Sequence, residues 1–460
     1  NIGLSGVGQY MYIDLPNTGV PTYVAWVVDG NHYQIDNWYV DNVTVQDGVQ
    51  AAPGYWLGNL SNDWFTPGNW ADGNVPTNLI DVTIPSGRPN YPYIVTPGGQ
   101  CRKLTVMNGG TYHIDSFFDI FTELSVDGNV IIDPGATLNV TTNIQQAGNG
   151  VITINGGMLD INGFWGGPLF GGSWAGGTLN LNGGTIDLAG YLLLGTTVMN
   201  MNGPFSFYVH GNAIRWDGDY QTSAPIGGSF YIQPSTGITD VYIFNSDETG
   251  VMSFFDIFVE CGTSNVWLNP TWGSVSLWAR NFTVNSGKVS TRSTDNLLEM
   301  TAFTVTGDLN LAASNDVNFT TQAVPMTVAG DVNQGLVSGT GYASLISSGN
   351  ISGNYNLNVA INPLPAGRWI LISPPVSGLT AATFNCQYLM RHDPITNTWI
   401  DCVPTDPLIP GIDYALWVHP DVIPNPGDPN CPVVNPLTGY TWSGVMNNGP
   451  IVAPLLCDDP

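Results

Sequence analysis

The chain has 460 residues, of which 35 are Asp or Glu and 9 are Lys or Arg, giving a formal net charge of -26. Nucleic acids bind through clusters of Lys and Arg, so this acidic chain is not expected to bind nucleic acid. No apolar run approaches the roughly 18 residues that span a bilayer, so the sequence also predicts no membrane insertion.

Residues 1–50 read as β-strands, most clearly from Asp36 to Val45. An aromatic pair, an Asp-Asn step and alternating valines in that stretch resemble the closing strand of jelly-roll modules in secreted proteins. A complete jelly roll needs about eight strands, more than fifty residues supply. We therefore predict a partial jelly-roll-like segment, completed upstream of this chain or paired with something else.

Residues 51–100 are rich in tryptophan, with Trp56, Trp64 and Trp70 close together on turn-rich sequence. This segment resembles the entry segment before repetitive β regions in large secreted cell-surface proteins of Bacteroidota-type bacteria. A solenoid exposes a sheet edge at its end, and a cap removes that edge. The favoured prediction is such a cap; the alternative is a sugar-stacking platform built from Trp64 and Trp70.

Residues 101–360 repeat an alternating strand, a glycine corner and a second alternating strand. The clearest copies are 124–130, 151–161, 178–188, 303–309 and 326–332. A unit this small buries its apolar side only against neighbouring copies, as in stacked repeats. The sequence predicts an all-β chain whose centre is a right-handed β-solenoid, or β-helix, of about 10 to 13 coils.

In residues 361–460 the repeat is no longer recognisable and proline is more frequent. Their aromatic phrases resemble a β-sandwich-like module that follows such repeats in the same secreted proteins. Four of the six cysteines lie here: Cys386, Cys402, Cys431 and Cys457. An even count in such a chain predicts disulfides, with 386–402 and 431–457 as the nearest-neighbour pairing among three, while free buried thiols are the alternative.

The sequence offers little chemistry for catalysis, and no enzyme activity is predicted. Its five histidines lack the context of a catalytic triad or a zinc site. Asp217 and Asp219 could supply the carboxylate pair of a glycoside hydrolase, but Asp-Gly-Asp is also an ordinary turn, which is the favoured interpretation. Asp217 with Asp219, and separately Asp247 with Glu248, are the predicted calcium ligands, because carboxylate oxygens suit this ion.

These features predict an extracellular structural or adhesive surface protein. Open β ends favour strand exchange between copies and hence a homo-polymeric filament, with the exchanged strand located after residue 430 or before residue 50. The alternative is a carbohydrate-binding or carbohydrate-active β-helix protein. Its predicted glycan contacts are exposed aromatic side chains, namely Trp165, Trp174, Trp267 and Trp272.

Overall fold

The structure is a computed structural model, and every structural statement below concerns the residues that it describes. These are 53–166, 176–194, 197–216, 228–244, 249–268, 274–291, 302–312, 317–322, 324–335, 343–347, 351–352, 356–361, 367–384, 387–424, 432–434 and 440–446. The predicted jelly-roll-like segment, residues 1–50, lies outside them. Within these ranges the protein is almost entirely β-structure, and no helix has the length and apolar character needed to cross a membrane.

The centre of the chain is the predicted β-solenoid, with parallel strands stacked on three faces. Face A stacks Asp81–Ile84, Lys103–Val106, Glu123–Val126, Asn143–Gln146, Phe164–Trp165, Leu192–Leu194, Ala213–Trp216, Asp240–Phe244, 265–268, 288–290, Val317–Gln322 and Ala343–Ser347. Face B stacks Tyr93–Ile94, Thr111–Ile114, Asn129–Ile132, 151–154, 178–181 and Val198–Met201, and then 249–254, 274–279, Ala302–Val305, Met326–Val328 and Ile351–Ser352.

Face C stacks Gly99–Cys101, Phe117–Ile120, Thr137–Val140, 158–161, 184–188, Phe205–Val209, Gly228–Ile232, 256–259, 281–284, Leu309–Leu311, Val332–Gln334 and Asn356–Ile361. Four strands continue around corners and so serve more than one face: Val151–Ile161, Thr178–Leu188, Thr249–Leu268 and Ser274–Ser290. Faces A and C each carry twelve stacked strands, so the solenoid is a rod, and each of its coils is called a rung below.

Alternation along each strand explains the core. In Glu123–Val126, for example, Leu124 and Val126 point inward and are fully buried, while their neighbours face outward. Successive rungs place apolar side chains over one another, so a single core runs along the rod. Close stacking of the rungs explains the glycine at one corner from face C to face A, because a Cβ on Gly190 would lie 2.1 Å from the carbonyl oxygen of Gly163 on the preceding rung.

The tryptophan-rich segment packs over the first rungs. Trp64 is only 1% exposed, and its ring centroid lies 4.6 Å from that of Trp70 and 4.8 Å from that of Phe118. Trp56 is equally buried and donates its indole N–H to the backbone oxygen of Asn90. The sugar-stacking alternative for Trp64 and Trp70 is therefore wrong, because a buried ring presents no face to a ligand.

The backbone of the same segment also pairs with the first rung. The amide of Thr83 donates to the carbonyl of Gly54 at 2.9 Å, and the amide of Tyr93 donates to that of Asn62 at 2.9 Å. A short 3-10 helix, Pro67–Asn69, holds the turn. The buried Asn69 amide oxygen accepts from the amides of Leu60 and Ser61. These bonds satisfy backbone groups that a sheet edge otherwise exposes.

The C-terminal region forms a separate small unit, called the C-terminal module (367–446). Its four-stranded antiparallel sheet has the order Trp369–Ile372, Tyr414–Trp417, Tyr388–Asp393 and Thr398–Asp401. It also contains the 3-10 helix Ala381–Phe384, the ribbon formed by Ile423–Pro424 with Val433–Val434, and the strand Tyr440–Val445. The described part of this module thus contains a four-stranded sheet and a two-stranded ribbon, and the predicted β-sandwich-like arrangement stays a prediction.

Candidate functional site

The predicted tryptophan platform does not form. Trp165 is 0% exposed, because the alternation of face A turns Phe164 outward, where it stacks on Tyr191, and Trp165 into the core. Its assignment as a glycan contact is wrong. Trp267 is half-buried on the outside of face A and donates its indole N–H to Asp240 Oδ1 at 2.8 Å. Trp174 and Trp272 lie outside the described residues.

The predicted calcium ligands Asp217, Asp219, Asp247 and Glu248 also lie outside the described residues, so that site stays a prediction. Across the described ranges, no group of three or more His, Cys, Asp or Glu side chains has the arrangement of a metal site. On face A, the Asp240 carboxylate accepts hydrogen bonds from Trp267, Asn265 and Thr239, and these bonds lower its pKa.

Cys402 is a free, partly buried thiol in the structure, so the predicted disulfide between Cys386 and Cys402 has no support there. Cys386, Cys431 and Cys457 lie outside the described residues, and the 431–457 pairing stays a prediction. Cys101 and Cys261 are free and buried in the solenoid. Burial raises the pKa of the Cys261 thiol to about 12, so it is protonated at neutral pH.

The outside of face C carries a column of polar and aromatic side chains in strict register. Asp160 lies opposite Asp187, and Asp187 lies opposite Tyr208 on the next rung. Two carboxyl groups one rung apart repel each other when both are ionised. Partial burial, reinforced by the charge of Asp187, raises the pKa of the Asp160 carboxyl.

His210 binds the second of these carboxylates. Its Nε2 lies 2.9 Å from Asp187 Oδ1, and its Nδ1 lies 2.7 Å from the carbonyl oxygen of Gln233. A carbonyl oxygen only accepts, so Nδ1 is the donor in the contact with Gln233. The His210 ring therefore links the strand of Asp187 to that of Gln233 on a neighbouring rung.

An aromatic stack continues the same column. The ring centroids of Tyr208 and Tyr231 are 4.5 Å apart, those of Tyr231 and Phe258 are 4.9 Å apart, and both pairs are within 13° of parallel. Stacked rings one rung apart cover each other's faces and present their edges to solvent. The two tyrosine hydroxyls have no hydrogen-bond partner among the described residues.

Beyond the stack, charged groups are bound across rungs. Arg280 Nε donates to Asp256 Oδ1 at 2.9 Å, and Asn281 donates to the same oxygen at 2.7 Å. Glu260 accepts from Gln233 on one side and from Asn285 on the other. These bonds tie neighbouring rungs together and keep the carboxylates paired.

Asparagine ladders add the same kind of link at the corner between faces B and C. The Asn182 side chain donates to Asn155, and that of Asn202 donates to Asn182, each at 2.9 Å. On face C, Asn333 donates to Asn310 at 2.8 Å. Repeated side-chain amide bonds along the rod axis resist separation of the rungs, as they do in other stacked β-structures.

The last rung of face C has an unusual neighbour. Strand Tyr440–Val445 of the C-terminal module pairs with Asn356–Ile361 in antiparallel register, whereas the other strand pairings of the solenoid sheet in the described ranges are parallel. Ile361 lies opposite Tyr440, and Asn356 lies opposite Val445. The edge of this rung is therefore able to accept a strand that is not part of the repeat.

Aromatic side chains anchor that strand to its own module. The ring of the buried Phe384 lies 5.1 Å from Tyr440 and 5.4 Å from Trp442, measured between centroids. The amide of Ser377 donates to the carbonyl of Val445 at 3.1 Å, and a bridge joins Val376 to Met446. The outer edge of the strand is thus partly covered by the module.

Comparison with known proteins gives one family match. Residues 55–161 match the model of a domain of unknown function, DUF8693, which covers the tryptophan-rich segment and the first rungs of the solenoid. Neither the curated proteins nor the solved structures include a match to the chain. The resemblance to Bacteroidota-type cell-surface proteins therefore stays a prediction.

Proposed function

We propose that this protein is an extracellular structural or adhesive element, and that its copies assemble end to end into filaments by exchanging β-strands. The β-solenoid is compatible with a structural or surface protein. The proposal rests above all on the last rung of face C, where Asn356–Ile361 accepts the strand Tyr440–Val445 from outside the repeat. A sheet edge with this property is a natural site for joining chains.

The rod is built to bear load along its axis. Backbone hydrogen bonds, the Tyr208–Tyr231–Phe258 stack and the cross-rung bonds of Asp256 and Glu260 all run in that direction. The outward carboxylates of Asp256 and Glu260 link neighbouring rungs. The proposed role includes no catalytic step. An acidic, lysine-poor surface supports an extracellular location, which protease accessibility on intact producing cells will test.

Of the two predicted donor segments, the one after residue 430 contains Tyr440–Val445, which occupies the last rung of its own chain. The one before residue 50 lies outside the described residues. Exchange at the C-terminal end thus requires this strand to leave its own rung. The donor at the opposite end of the rod is proposed to be the segment before residue 50.

Filament formation is tested by negative-stain imaging and sedimentation of the intact chain at rising concentration. Long assemblies are expected, together with their shortening by a synthetic peptide of sequence Tyr440–Met446, which competes for the accepting edge. A scrambled peptide of the same composition is the control and leaves the assemblies unchanged. A monodisperse monomer at every concentration, with and without calcium, contradicts the proposal.

Carbohydrate binding is a second candidate, favoured by the outward hydroxyls of Tyr208 and Tyr231 beside Asp187. Hydroxyl and carboxylate groups at rung spacing offer hydrogen bonds to a neutral glycan, whereas the negative charge of the chain disfavours an anionic one. A glycan array is expected to show binding that is lost in the Tyr208→Ala and Tyr231→Ala variants. A Thr105→Ala variant on face A is the control, and equal binding by all variants rejects this site.

A further inference from the structure

The C-terminal module reaches the rod through a strand that belongs to the module. Tyr440–Val445 packs through Tyr440 and Trp442 on Phe384, yet its backbone pairs with Asn356–Ile361 of the rod. Trp442 is 2% exposed and lies opposite Val359. Module and strand therefore dock on the last rung as one unit, and the docking contacts do not depend on which copy supplies the module.

Donor and acceptor lie at the same end of the rod. The last face C strand ends at Ile361 and the module begins at Gly367, so five residues join them. An extended chain spans at most about 3.6 Å per residue, which keeps each module within roughly 20 Å of its own last rung. A module that docks on a second copy thus brings the C-terminal ends of the two rods together.

We propose that two copies of this chain exchange their C-terminal modules, so that Tyr440–Val445 of each copy pairs with Asn356–Ile361 of the other. The inference rests on the proposed end-to-end assembly and names the surface used at one end. The exchanged and unexchanged forms share the same docking contacts, so protein concentration and the joining segment set the balance between them.

The product of this exchange is a closed pair. Once one module has docked on the second copy, the other module and the vacated rung are held close together, at an effective concentration in the millimolar range. The second exchange then occurs within the complex and satisfies both edges. The symmetry is two-fold, with the rods joined tail to tail, so further growth of a filament requires a second contact, for which the segment before residue 50 is the proposed donor.

The pairing register supplies a direct test. Asn358 lies opposite Ser443, and directly opposed residues of antiparallel strands have Cα atoms about 4.5–5.5 Å apart, within disulfide range. Asn358→Cys and Ser443→Cys are placed on separate full-length chains with tags of different length. The two chains are co-expressed, oxidised and separated without reductant. Two wild-type chains with the same two tags give the background, which is the amount of heterodimer formed through native cysteines.

Exchange is expected to give a disulfide-linked heterodimer that carries both tags. The matched control combines Asn333→Cys on one chain with Ser443→Cys on the other. Asn333 lies opposite Asn358 on the preceding rung, about 4.8 Å further from Tyr440–Val445, so only the background amount of heterodimer is expected. A third variant carries Asn358→Cys and Ser443→Cys on one chain and reports the register within a monomer.

The outcomes separate this inference from the proposed assembly. A heterodimer at background level overturns module exchange, whether the doubly substituted chain closes an internal disulfide or not. Filaments seen by imaging without the heterodimer reject exchange at this end and leave assembly through the other end in place. A heterodimer in a solution that contains pairs but no filaments supports the exchange and rejects the filament.

Discussion

Removal of one indole from the N-terminal cap tests how the rod distributes its stability. In the Trp64→Ala variant the lost ring is 1% exposed and contacts Trp56, Trp70, Tyr112 and Phe118. Truncation of a buried Trp to Ala costs about 3–5 kcal/mol. Trp64 also has four aromatic partners, each worth about 0.5–1.5 kcal/mol beyond burial, so we expect a loss of about 5 kcal/mol, at the upper end of that range.

This loss is expected to be local. In a solenoid each rung contacts only its neighbours, so stability is close to a sum of rung and interface contributions. The first rungs, represented by 81–84 and 103–106, lose the cap directly, whereas 281–284 lies many rungs away. Because 1.4 kcal/mol corresponds to a factor of ten, a loss of about 5 kcal/mol raises the opening equilibrium of the first rungs by roughly 4,000-fold.

Hydrogen exchange read by mass spectrometry measures this gradient. Amides on the first rungs are expected to lose protection in Trp64→Ala, while those of 281–284 keep wild-type rates. Leu79→Ala, at a side chain that is 75% exposed next to the cap, is the matched control and changes neither region. Equal loss of protection along the whole rod, or none at the first rungs, refutes the reasoning.

Three further predictions concern the solenoid. Because the fold raises the pKa of Asp160, ionisation of this carboxyl destabilises the folded state as pH rises above about 4. The free energy of unfolding of Asp160→Asn, measured in urea, should therefore increase relative to that of the wild type between about pH 4 and pH 7, and a difference that does not depend on pH contradicts this. Gly190→Ala pushes a Cβ toward the Gly163 carbonyl oxygen and should lower the free energy of unfolding by about 1–3 kcal/mol, so an unchanged urea midpoint rejects the corner argument. Cys261, with its pKa near 12, should resist iodoacetamide at about pH 8 until urea unfolds the chain, and equal labelling of folded and unfolded protein would show that the thiol is accessible.

The repeated strand-glycine-strand phrase was sufficient to predict the solenoid. Residues 151–161 and 178–188 are neighbouring rungs, and 303–309 lies beside 326–332, as their similarity indicated. The copy at 124–130, however, turns from face A to face B, whereas the latter two copies turn from face B to face C. Both kinds of corner place a glycine close to the backbone of the preceding rung, namely Gly128 and Gly307, so similarity alone does not identify the face.

Contacts between rungs were harder to predict than the rungs themselves. His210 had no catalytic or metal context in the sequence, and its partner Asp187 was found only once the register was known. Trp165 was predicted to be exposed because it stands among glycines, a context in which no strand is recognisable from the sequence. In fact its strand keeps the inside-outside alternation and places the indole in the core.

The docking of Tyr440–Val445 was beyond sequence reasoning of this kind. The local sequence of 440–445 is typical of a strand, but nothing in it indicates an antiparallel partner about eighty residues earlier in the chain. The outcome depends on which edges the rest of the fold leaves open. The sequence predicts a donor strand after residue 430, and the structure shows the edge with which Tyr440–Val445 pairs in its own chain.

The reversed direction of that strand has a consequence for length. A stack of identical parallel coils contains no internal signal to stop, since each new coil presents the same template as the one before it. Tyr440–Val445 runs the other way and is backed by Val376 and Ser377, so its far side no longer copies the template. The module thus acts as a terminator, and the gene, rather than the supply of subunits, determines how long a single rod becomes.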